Sequence, residues 1–183
     1  MHWIEQCIYL NVSDVVANPE NQPEISYLNN LTDFRDFVTR SPEEYARWIF
    51  ATSKEAAEFE IAELLSISKD KKVIVDTNIP IDILKEISDY NHVAVMISPL
   101  SMSVERFFDR NDPEKLFILN TIESCENPTE VMENYKKGLA LINSQENYDL
   151  YAKSGFFTVV REDTPKDTKE DVCEKIAKHF GLV

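Results

Sequence analysis

Glycine is scarce. The chain has three, Gly138, Gly155 and Gly181, and none precedes position 138. Phosphate-cradling loops need glycine, because the backbone N–H groups must reach the ligand without a Cβ in the way. The first three quarters of the chain therefore hold no such loop. Cysteine is equally sparse. Cys7, Cys125 and Cys173 are odd in number, far apart and without a CxxC pair, which excludes a disulfide framework and a zinc motif. A reduced, cytoplasmic protein is the expectation, with Cys173 on the apolar face of the last helix. The histidines are His2, His92 and His179. They form no HExxH motif and no Ser-His-Asp order, so structural roles are expected for them. No apolar run approaches the roughly 20 residues of a membrane span. Met1-His2-Trp3-Ile4-Glu5 has neither the basic nor the apolar segment of a secretory signal. Basic residues are outnumbered 19 to 33, giving a formal charge of −14. Such a surface repels nucleic acid and anionic lipid, so neither is an expected partner. The same charge also arises from solubility alone.

The 183 residues fit one domain with a real core. Residues 1–40 read as an irregular region with a helix at about 2–16, followed by turn signals at Asn18-Pro19, Gln22-Pro23 and Asn29-Asn30. Ser41-Pro42-Glu43-Glu44 is a capping box with Pro at the first helical position. It opens a long helix to about Ser66, with Tyr45, Trp48, Ile49, Ala56, Phe59, Ala62 and Leu65 at helical spacing. Three continuous apolar runs follow, Lys72 to Val75, His92 to Ile97 and Phe156 to Val160. Their lack of alternation predicts parallel strands buried on both faces. Helical patterns lie between and after them: Pro80 to Ser88, Met102 to Asp109, Pro113 to Ser124, Pro128 to Ile142, Glu146 to Lys153, and a last helix from about Thr168 to Gly181. The expectation is an α/β fold, a parallel sheet of three or more strands flanked by helices.

Four groups of residues could carry chemistry. Asp76 follows Val73-Ile74-Val75, at the carboxyl end of a strand, where ligands of open α/β sheets bind. A carboxylate there can hold Mg²⁺ through water or accept a proton, or it can cap the next turn. Arg106 and Arg110 are four apart on one helix face just past the second strand. They suit phosphate or carboxylate, or they pair with Glu105, Asp109, Asp112 or Glu114. Arg161-Glu162-Asp163 follows the last strand and is either a ligand rim or a solvent loop. Arg35 and Arg40, in the long loop, are surface residues or reach a ligand anion.

Taken in order from Ser41 to Leu182, these pieces resemble the small P-loop kinases of nucleosides, nucleotides and shikimate. The strand ending Asp76-Thr77-Asn78-Ile79-Pro80 is similar to that family's strand ending Asp-Gly-x-Pro. His92 to Ile97, followed by Glu105-Arg106 and Arg110, resembles the approach to the lid arginines. Phe156 to Val160 and the final His179-Phe180-Gly181-Leu182 resemble the last strand and helix, near which the adenine is held. The resemblance implies a three-layer P-loop NTPase-like fold, truncated at the first strand, with residues 111–153 as an enlarged lid. It implies Asp76 for catalysis and magnesium, Arg106 and Arg110 for phosphate stabilisation, Arg40 and Asn78 for substrate, and Arg161 and Asp163 for the nucleotide. The GxxxxGK[ST] loop has no counterpart, and Ile8-Tyr9-Leu10 with Val12 is the one candidate for a first strand. A kinase-like protein inactive as written is the expectation, with ATP and Mg²⁺ as cofactors only if a phosphate-binding loop lies upstream. The alternative is a non-catalytic binding or interaction protein that keeps the fold. A small phosphorylated or anionic molecule is the expected partner, and an uncovered sheet edge would favour a homodimer.

Overall fold

The computed structural model describes residues 6–8 by their backbone, and residues 17–109, 112–164 and 168–183 in full. Arg110 lies outside the described residues, as does most of the segment read as an N-terminal helix. The chain divides into two compact units. The first is Met1–Thr32 with Trp48–Leu84, and the second is Asp33–Arg47 with Lys85–Val183.

In the first unit, strand β1 (Gln6–Ile8) pairs parallel with β2 (Val73–Val75), Cys7 opposite Ile74. A strand thus precedes β2, at three residues read from the sequence as helix. Pairing with a partner more than sixty residues away overrode the local pattern. Helix α1 (Pro23–Asn29) occupies part of the stretch read as irregular. Its own N-cap, Gln22, makes no side-chain capping bond. The cap comes instead from the long helix α3 (Pro42–Ser66), whose Trp48–Ser66 part belongs to this unit. The Glu55 carboxylate accepts the backbone N–H groups of Glu24 at 3.1 Å and Ile25 at 2.9 Å. These are two of the donors a helix start leaves without a partner. Pro23, at the first position, has no N–H to satisfy. The Trp48 indole N–H donates to the Glu24 carbonyl at 3.3 Å, and the Gln22 amide donates to Glu58 at 3.0 Å. The buried apolar residues of this unit include Ile25, Ala56, Ala57, Ile79 and Ile81. The α3 pattern holds through Ala57, but its end is not a core face, since Leu65 is 82% exposed.

The second unit holds helix α2 (Arg35–Val38) and the start of α3. The capping box forms as expected. Glu44 N–H donates to Ser41 Oγ at 3.3 Å, and Ser41 N–H donates to Glu44 Oε2 at 3.0 Å. That bond holds the Glu44 carboxyl below its ordinary pKa. Helix α4 (Ile81–Ile87) leads across the unit boundary to strand β3 (Ala94–Ile97). Helices α5 (Pro113–Glu123), α6 (Pro128–Ile142) and α7 (Gln145–Ala152) follow, then strand β4 (Phe157–Val160) and helix α8 (Lys169–His179). Asp112 caps α5 by accepting from Glu114 and Lys115, and Ser144 caps α7. Strands β3 and β4 pair parallel, Val95 opposite Thr158. Gly181 ends α8 at φ +64°, with Leu182 N–H on the Ala177 carbonyl and Gly181 N–H on that of Lys178. This double bond pattern needs a left-handed residue, which glycine adopts without strain.

The core of this unit is aromatic. Phe34 meets Phe37 and Phe117 at 5.0 Å between ring centres, and Phe37 meets Tyr45 at 5.7 Å. Tyr45 lies 4.9 Å from Tyr135, their hydroxyls 3.0 Å apart, and Phe107 and Phe108 pack on Tyr135. Burial pushes both phenols up, Tyr135 far above the usual tyrosine range. Gly138 makes room for this pair, since a Cβ there would lie 2.7 Å from Tyr45 Cδ1.

The parallel α/β character predicted from the apolar runs is present. Several finer expectations are not met. Among the described residues the strands form two separate pairs rather than one sheet of three or more. The strands are not buried on both faces, since Met96 is 60% and Val160 46% exposed. Short strands of three and four residues offer too little width to cover both sides. The expected helix Met102 to Asp109 is a π-helical turn, Ser101–Glu105, closed by Arg106 N–H on the Ser101 carbonyl at 3.1 Å. Cys173 is exposed, since Val172 is the position of α8 that is buried and its next-door position faces away. His92 lies in the turn before β3 and pairs with Asp89. His179 meets aromatic rings, stacked on Phe157 at 4.2 Å with Tyr90 edge-on at 5.1 Å.

Candidate functional site

The residues marked by the sequence fall into two groups. Asp76 and Asn78 belong to the first unit, and Arg40, Arg106, Arg161 and Asp163 to the second.

In the first unit β2 ends at Val75, and Asp76 follows it, exposed. Asn78 is exposed as well. Between them Thr77 turns inward. Its hydroxyl accepts the N–H of Ile79 at 3.0 Å and donates to the carboxylate of Glu60 on α3. The first bond is a local turn of the kind Thr makes two residues ahead. The second ties the loop to the helix. Burial raises the Glu60 pKa; the Thr77 hydrogen bond opposes this and the negative charge of Asp76 adds to it. The half-buried Glu60 carboxyl thus receives the Thr77 hydroxyl and feels the charge of the exposed Asp76. Glu60 and Thr77 went unmarked in the sequence. The available signal was spacing, since Glu60 lies three and four residues beyond the buried Ala57 and Ala56 on α3.

In the second unit Arg106 follows the π-helical turn after β3, and Asp163 follows β4. Arg106 Nη1 lies 2.5 Å from Asp163 Oδ1, and Nε lies 3.6 Å from Asp109 Oδ2. The pairing with Asp109 is one that the spacing allowed. The pairing with Asp163 joins two residues that the sequence marked for separate roles. Arg161 extends the strand ladder, its N–H donating to the Ile97 carbonyl at 2.8 Å, so the segments after β3 and β4 leave side by side. The Arg40 guanidinium sits 5.4 Å above the Phe37 ring, a cation–π contact with the aromatic core. Near the start of α6 a groove of about 420 Å³ is lined by Glu126, Asn127, Pro128, Thr129, Glu130 and Glu133, whose charge repels anions.

Among the described residues no three His, Cys, Asp or Glu side chains converge on a metal-sized site. No helix among them is long and apolar enough to cross a membrane. Compared with known proteins, the chain matches no family model, no curated protein and no solved structure at a significant level.

Proposed function

We propose that the chain is a relative of the small P-loop kinases that binds a small phosphorylated or anionic molecule without transferring phosphate from ATP. The observation that carries this reading is the parallel pairing of β1 with β2. It supplies a strand ahead of the one that ends at Asp76, in the chain order of those kinases. The residues after it, Tyr9-Leu10-Asn11-Val12-Ser13-Asp14-Val15-Val16, include neither glycine nor lysine. In the kinases that place belongs to the loop whose N–H groups and lysine hold the triphosphate. Asp76, solvated at a strand end, suits Mg²⁺ held through water. The triphosphate does not fit. The first unit has no arginine and no glycine, and Glu60 stands beside Asp76 as a further acid. Phosphate transfer from ATP therefore finds no support in these residues.

An interaction protein that keeps the fold and holds no small anion is the second reading, favoured by Arg106. Its guanidinium is engaged by two carboxylates of its own chain. Isothermal titration with ATP and Mg²⁺ tests the first reading. The expected result is no saturable heat in the micromolar range and no ADP release. Micromolar affinity would overturn it.

A further inference from the structure

We draw no further inference here: the strongest candidate, the apolar surface that the β3–β4 pair leaves open at Met96 and Val160, carries nothing because nothing in the structure shows what covers it.

Discussion

The two units hold their segments in place by different means. In the first, α3 works through polar side chains. Glu55 caps α1, Glu58 accepts from Gln22, Trp48 donates to the Glu24 carbonyl, and Glu60 receives the Thr77 hydroxyl. In the second, the centre is a cluster of rings around Tyr45 and Tyr135, with charge at the margins. All six arginines and all three glycines belong to the second unit. The contrast teaches where each unit is vulnerable. Directional bonds to carboxylates fail one at a time and respond to charge, whereas packed rings fail through shape.

The largest effect should come from shape. Gly138→Val places branched carbon against Tyr45, where even a Cβ lies at 2.7 Å. Overpacking of this kind costs about 1–3 kcal/mol, and the upper end is expected here. Hydrogen exchange should show protection lost across α6 and the start of α3. Protection kept in α6 would break the claim that ring packing governs this unit.

Next is the borrowed cap. Glu55→Ala leaves two N–H groups of α1 without an acceptor. About 1–2 kcal/mol is expected, as for loss of an N-cap side chain. Exchange should rise in α1 while α6 stays protected.

The tyrosine pair sharpens the comparison further. Tyr135→Phe strands the buried Tyr45 hydroxyl and should cost about 1–2 kcal/mol in a denaturant melt. Replacing both tyrosines by Phe should recover most of that loss, since no polar group is then stranded. A double variant worse than the single would show that the hydroxyls, and not the rings, hold the unit.

The smallest effect is that of Glu60, and its sign is opposite. Burial raises its folded pKa. Its share of stability is therefore fully present below the unfolded value, about 4.3, and is lost as pH rises through the higher folded pKa. Glu60→Gln removes the charge and keeps an acceptor for Thr77. It should stabilise the protein at pH 7 and leave its stability unchanged near pH 4. Equal gains at both pH values would contradict the assignment.

The sequence made some of this legible and hid the rest for identifiable reasons. The Ser41 to Glu44 box, the ends of α3, α5 and α6, and the parallel pairing of the last two apolar runs follow from local chemistry: caps, prolines and unbroken β-branched stretches. Asp76 at a strand end is legible for the same reason. What stayed hidden depends on distant partners. β1 is a strand because Val73–Val75 lies beside it, and α1 is a helix because Glu55 caps it. The Arg106 and Asp163 pair spans 57 positions, and spacing rules see only a few. For Glu60, spacing from Ala56 and Ala57 marks the face, but its partner Thr77 lies 17 positions away, beyond the reach of local patterns.

The cap on α1 also bears on the order of folding. Seven residues are too few to hold a helix alone in water, where nucleation is costly and propagation needs more turns. The carboxylate that completes this one arrives from about thirty positions later in the chain. α1 cannot then be an early local nucleus. Substitutions in it should leave the refolding rate unchanged and speed unfolding, as expected of a segment that forms after the transition state. The helix earlier in the chain is in this sense the later one to form, waiting for α3.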